Sequence, residues 1–125
     1  MKLEQVHNQF ILDWYDAMQT GNTSKLERMT DSYFVTFFYE PSEKPLFFTK
    51  EEALIGMQQS VNELRGAKKR FNNRLIRMKN DNEAVVFYEL IVEKNGEQIS
   101  RLFTVENWSR DHDKWFLANE IQQQL

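Results

Sequence analysis

No cysteine occurs among the 125 residues, which excludes disulfides, thiolate nucleophiles and cysteine metal sites together. There are only two histidines, His7 and His112, far apart and not at helical ligand spacing, so no zinc or other metal centre is expected. No apolar run reaches the length of a membrane span, and Met1-Lys2-Leu3-Glu4-Gln5 lacks the charged start and apolar stretch of a signal peptide. The expectation is a cytoplasmic protein with no membrane contact. Positive charge is not in excess either: the formal net charge of -3 speaks against nucleic-acid partners. With no internal repeat or linker, the chain reads as a single domain over residues 1–125, and no cofactor is expected.

Aromatic residues, in contrast, are plentiful. Ten Phe, three Trp and four Tyr supply bulky apolar material for a core and for the wall of a cavity. The chain is organised around Glu83 to Ser109, two alternating runs joined by Asn95-Gly96, a strong hairpin signal. A two-residue turn sets Lys94 against Glu97. Continued without a break, that register pairs Val92 with Ile99, Leu90 with Arg101, Tyr88 with Phe103, Val86 with Val105 and Ala84 with Asn107 on one mostly apolar face. The other face carries Val85, Phe87, Glu89 and Ile91 against Glu106, Thr104, Leu102 and Ser100, and is mixed.

Around the hairpin, Leu3, Val6, Phe10, Trp14 and Ala17 recur at helical spacing, which predicts a helix from about Leu3 to Thr20 ended by Gly21. Leu12 and Tyr15 fall on its opposite side. A short second helix holds Leu26 and Met29. Tyr33 to Tyr39 reads as a strand, followed by a loop from Glu40 to Leu46. Thr49-Lys50-Glu51-Glu52 has capping-box spacing and opens a third helix with Ala53, Leu54, Met57, Val61 and Leu64 inward. From Lys68 onward a four-strand meander is broken at Asn80-Asp81-Asn82, Asn95-Gly96 and Arg110-Asp111-His112-Asp113. The fold class is α+β, a curved, mostly antiparallel sheet wrapped around three helices.

That order, with Trp14-Tyr15-Asp16-Ala17-Met18-Gln19-Thr20-Gly21-Asn22, Thr49-Lys50-Glu51-Glu52-Ala53, and Trp108 and Trp115 flanking a polar turn, resembles the nuclear transport factor 2-like superfamily. The resemblance covers the whole chain and implies a cone-shaped cavity. Its relatives include ketosteroid isomerase, scytalone dehydratase, SnoaL-like cyclases and non-catalytic domains. Where the isomerase-like members carry a tyrosine donor, an ungapped comparison places Trp14, and where they carry the aspartate base it places Phe38. An indole N–H cannot titrate and a phenyl ring transfers no proton, so that isomerase chemistry is not expected.

Pairing Trp108 with Lys114 across the last turn adds Asn119 beside Phe103 on the expected inner face. The expected ligand pocket is therefore Trp14, Phe38, Tyr88, Arg101, Phe103 and Asn119, with no catalytic residue assigned. Arg101 would recognise an anion there, and Arg74 opposite Tyr88 would add a second cation; the bland alternative is that both reach solvent at the sheet edge. Lys68-Lys69-Arg70 reads as a solvated strand and Asp111-His112-Asp113 as a polar turn. His7 lies on the flank of the first helix's stripe. The expected function is binding of a small, largely apolar or carboxylate-bearing ligand with an anionic or carbonyl group, of the isomerase, cyclase or dehydratase kind. The alternative is a non-catalytic interaction module with a filled cavity. In either case the half-apolar outer sheet face, with Val85, Phe87, Ile91, Leu102 and Phe116, is expected to form a homodimer.

Overall fold

The apolar stripe of the first eighteen-residue helix, α1 (Leu3–Thr20), buries Leu3, Val6, Phe10, Ala17 and Met18, leaving Leu12 and Tyr15 exposed as the spacing requires. Gly21 ends the helix in the left-handed conformation (φ 82°), and its N–H closes on the Ala17 carbonyl at 2.8 Å. In this computed structural model, which describes residues 1–125, the chain then makes one 3₁₀ turn (Ser24–Leu26) where a second helix is expected. Met29 already belongs to the first strand, and the Arg28 carbonyl accepts from Leu117 N–H, so the backbone is captured by the sheet before a helix can propagate. There are accordingly two α-helices, not three.

Strand β1 (Met29–Phe38) is followed by a short strand β2 (Leu46–Thr49) that begins at the last residue of the expected loop and takes in Phe47 and Phe48, for which no element is expected from sequence. Thr49 then caps α2 (Lys50–Glu63) with both halves of the capping box in place: the Thr49 hydroxyl accepts from Glu52 N–H, and Thr49 N–H donates to the Glu52 carboxylate at 3.0 Å. The meander follows as expected, with β3 (Lys68–Asn80), β4 (Glu83–Lys94), β5 (Glu97–Asp111) and β6 (Lys114–Gln124). All six strands form one sheet in the order β2-β1-β6-β5-β4-β3, antiparallel except where β1 joins β6. The α+β class stands, with a curved sheet and two helices on its inner face.

Half of this sheet is read out of register by unbroken pairing. The Asn95-Gly96 turn does set Lys94 against Glu97, both turn residues having the positive φ that a tight hairpin needs. The ladder then jumps from Glu93↔Gln98 to Val92↔Ser100, so Ile99 is an extra residue in a β-bulge. Because side chains alternate with period two, one inserted residue turns over the whole of β5 beyond it. Ser100, Leu102, Thr104, Glu106 and Trp108 point inward against Val92, Leu90, Tyr88, Val86 and Ala84, while Arg101, Phe103, Val105 and Asn107 point outward. A second bulge at Ala118, between Trp108↔Leu117 and Asn107↔Asn119, brings Glu120 and Gln122 to the inner face of β6.

One end of the concave face is solid core. Phe10 meets Trp108 edge-on with ring centroids 5.2 Å apart, a contact worth roughly 0.5–1.5 kcal/mol beyond its buried area. Ala84, Val86, Trp115 and Leu117 complete that end. No helix is long and apolar enough to cross a membrane.

Candidate functional site

At the other end, α2 stands off the sheet and leaves a cavity of about 400 Å³. Trp14 of α1, Val35 and Phe37 of β1, Met57 of α2, Leu64 just past its end, and Leu90 of β4 supply much of its apolar wall. Tyr33, Lys69, Tyr88, Glu106, Glu120 and Gln122 put polar groups on the sheet side, and Tyr39, Glu52, Ser60 and Ser100 add others around the wall.

Glu106 and Glu120 sit directly opposite one another on β5 and β6, a position in which like charges repel. Their surroundings differ. Glu106 is fully buried and accepts from three donors: His7 Nε2 at 2.8 Å, Trp108 Nε1 at 2.9 Å, and the Tyr88 hydroxyl. His7 is itself held from behind by Arg74, whose Nη1 lies 3.1 Å from Nδ1. A guanidinium only donates, so Nδ1 of His7 is the acceptor and the ring proton on Nε2 points at Glu106.

Glu120 has fewer donors. The Tyr33 hydroxyl donates to it at 2.8 Å and Gln122 Nε2 at 2.9 Å, and the Gln122 carbonyl is in turn fixed by Thr104 Oγ1 at 2.6 Å. Burial, reinforced by the negative charge of Glu106, pushes the Glu120 carboxyl up to about 7, against the pull of its donors and of Lys69. Burial, followed by the neighbouring carboxylates, raises the Tyr33 and Tyr88 hydroxyls far out of reach of ionisation, so both act as fixed donors. The Lys69 ammonium lies 3.5 Å from the centre of the Trp14 ring, and burial pushes it down to about 8, opposed by the charge of Glu120. Chemically the site is a pair of carboxyls, one saturated with donors and one poised to gain or lose a proton near neutral pH.

Of the six residues expected to form the pocket, Trp14 and Tyr88 line this cavity. The other four lie on the outer face and are not brought together with them. Arg101, its side chain 49 % exposed, pairs with Glu89, and each holds the other more firmly ionised. Phe103 is exposed, and Asn119 accepts from Asn107 at 2.8 Å. Phe38 alternates outward from Tyr33, Val35 and Phe37. Phe38 thus says nothing about a base, because the cavity's carboxyls come from β5, β6 and α2. Leu102, expected outside, lines the cavity. Arg74 does face inward, but toward His7 rather than the cavity.

His7 was open to discovery in the sequence. It falls at Leu3 plus four and Phe10 minus three, in the middle of the stripe rather than on its flank, and is fully buried. Lys69 alternates inward between exposed Lys68 and Arg70 in a stretch that looks solvated throughout.

No protein-family model matches the chain, and no curated protein sequence does so. Solved structures resemble it closely in shape. The yeast Ubp3-associated protein Bre5 superposes with a TM-score of 0.76 at 11 % identity, over 100 % of this chain and 98 % of that one. An NTF2-like protein from Cytophaga hutchinsonii gives 0.65 at 17 % identity, over the whole of both chains. An NTF2-like family protein from Streptomyces avermitilis, provisionally assigned as a dehydratase, gives 0.71 at 16 % identity over 98 % of this chain and 94 % of that one. Likeness at such identities speaks for architecture alone. The chain has the fold of the nuclear transport factor 2-like superfamily.

Proposed function

We propose that the cavity binds a small, largely apolar molecule carrying a carbonyl or hydroxyl group, and that Glu120 moves a proton on it, as isomerases, cyclases and dehydratases require. The observation that carries this reading is the Glu106–Glu120 pair on the floor of a mainly apolar cavity, with Glu120 shifted to about 7. A general base works best when its proton affinity lies near the working pH. Between the anionic and carbonyl ligands expected from sequence, the placement of Arg101 outside favours the neutral one: the carboxyls of Glu52, Glu106 and Glu120 line the cavity against the one ammonium of Lys69. Tyr33 and Tyr88, held as donors, orient the acid pair.

The test is deuterium exchange. A neutral, apolar ketone such as 1-tetralone, incubated with the protein in D₂O, should lose its α-proton signal faster than in buffer, and Glu120→Gln should remove the acceleration. Equal rates in wild type, variant and buffer would refute the reading.

A second reading has its own observation. Leu75, Phe87, Val105 and Ile121 line up across four neighbouring strands of the outer face, continuing to Thr36 and Phe47. Phe103 and Ile121 are exposed beside the Arg101–Glu89 pair. Such a stripe suits a second copy of the chain or another protein, and the similar Bre5 is described as Ubp3-associated. The two readings are compatible, since the surfaces lie on opposite faces of one sheet.

A further inference from the structure

Lys69 has no part in the proton transfer just described, yet it is nine-tenths buried and borders the cavity. Its ammonium makes no hydrogen bond and no ion pair; its one polar contact is the face of Trp14, 3.5 Å away. An ammonium has three donors and is costly to bury without acceptors. A lysine serving only as a spacer on a strand would keep its head in water, as Lys68 and Arg70 do. Around Lys69 the cavity presents Glu120 from β6, Glu106 from β5, Tyr88 from β4 and Tyr33 from β1. A carboxylate ligand brought to Lys69 would meet two protein carboxyls, whereas a neutral carbonyl would not.

We propose that Lys69 is an imine-forming nucleophile that captures an apolar aldehyde or ketone in the cavity, with Glu120 moving the protons; this rests on the cavity being a small-molecule site. Glu120 as carboxylate, beyond hydrogen-bond reach of the Lys69 ammonium, takes one proton from it through a water in the cavity. The neutral amine attacks the carbonyl carbon, a C–N bond forms, and a nitrogen proton passes to the former carbonyl oxygen, giving a carbinolamine. Glu120 returns its proton to that hydroxyl, the C–O bond breaks, water leaves, and the nitrogen keeps one proton as the iminium. Ammonium plus carbonyl becomes iminium plus water, with no oxidant or reductant. Burial, which pushes Lys69 down to about 8, keeps a share of the neutral amine available near neutral pH.

The test uses 2-naphthaldehyde with cyanoborohydride near neutral pH, peptide mass mapping to locate the adduct, and 2-methylnaphthalene as a non-reactive analogue followed by tryptophan fluorescence. Lys69 should be modified at least roughly tenfold faster than any exposed lysine, and Glu120→Gln should slow that adduct by a similar factor. Lys69→Arg and Lys69→Met should lack the adduct and still bind 2-methylnaphthalene. If 2-methylnaphthalene binds but Lys69 reacts no faster than surface lysines, the imine proposal falls and the cavity reading survives. If the hydrocarbon does not bind and Lys69 is not modified, both fall. An adduct rate unchanged by Glu120→Gln would overturn the role given to Glu120.

Discussion

Glu120→Gln gives the most direct physical test of the acid pair, because it needs no ligand. The folded protein holds the Glu120 proton up to about pH 7, whereas an unfolded chain releases it near pH 4.5. Between those values the native state binds more protons than the unfolded state, so stability falls as pH rises through the window. Each pH unit contributes about 1.4 kcal/mol, so the window amounts to something on the order of 3 kcal/mol. That figure is an upper bound, because one side of the carboxyl borders the cavity and water there screens it. Glutamine cannot titrate, and the variant should lose this part of the pH dependence. It also loses a donor–acceptor match with Gln122, a pH-independent cost of about 1 kcal/mol. The comparison is therefore between curve shapes. Urea midpoints measured from pH 4.5 to pH 7 should show the margin of wild type over Glu120→Gln shrinking as pH rises, whereas Lys69, pushed down to about 8, adds an opposite rise in both proteins only above that range. Glu52 and Glu89, both held below the usual carboxylate range by hydrogen bonds from Thr49 and Arg101 respectively, lose their stabilising contributions only at more acidic pH. Parallel curves for the two proteins would show that Glu120 is ionised normally and would remove the basis for its role as a base.

Two further outcomes follow from the sheet. Val105→Glu places a charge in the middle of the outer apolar stripe, so light scattering at low micromolar concentration should show wild-type dimers and variant monomers; a monomeric wild type would dismiss this face as a self-association surface. Deleting Ile99 removes the bulge and would turn Arg101, Phe103 and Val105 inward, so circular dichroism and urea titration should show a protein destabilised by several kcal/mol or unfolded, and a native-like transition would refute the register.

What the sequence made legible was local. The stripe of α1, the Thr49 capping box, the Asn95-Gly96 turn and the four-strand meander each depend on residues within a few positions of one another, and each is found where expected. The candidate site was mostly illegible, because it depends on two one-residue insertions. Both possible inner faces of β5 are part apolar, Leu102 and Trp108 on one and Phe103 and Val105 on the other, so binary pattern does not choose between them. A weak signal existed. Placing Arg101 inward leaves a guanidinium without a partner, whereas the bulged register sets it diagonally beside Glu89, where the two form an ion pair. The same criterion applied to Glu106 points the other way, since an inward Glu106 looks as costly as an inward Arg101. It is tolerated only because His7, Tyr88 and Trp108 converge on it from α1, β4 and β5. No periodicity can show that convergence.

The asymmetry between the two opposed glutamates is therefore built outside the strands that carry them. Packing alone would favour leucine at both positions, as at Leu90 and Leu117, because buried carboxyls are expensive wherever an apolar side chain fits. Replacing Glu106 by leucine would strand the His7, Tyr88 and Trp108 donors in the core, each at a cost of about 1–3 kcal/mol. The network is thus self-locking: three elements supply donors to Glu106 and hold its carboxyl in place beside Glu120. Glu120, with two donors and the cavity in front of it, is left to absorb the repulsion by holding its proton. Two residues of one type, in register on neighbouring strands, become a fixed hydrogen-bond acceptor and an exchangeable proton through the number of N–H and O–H groups aimed at each.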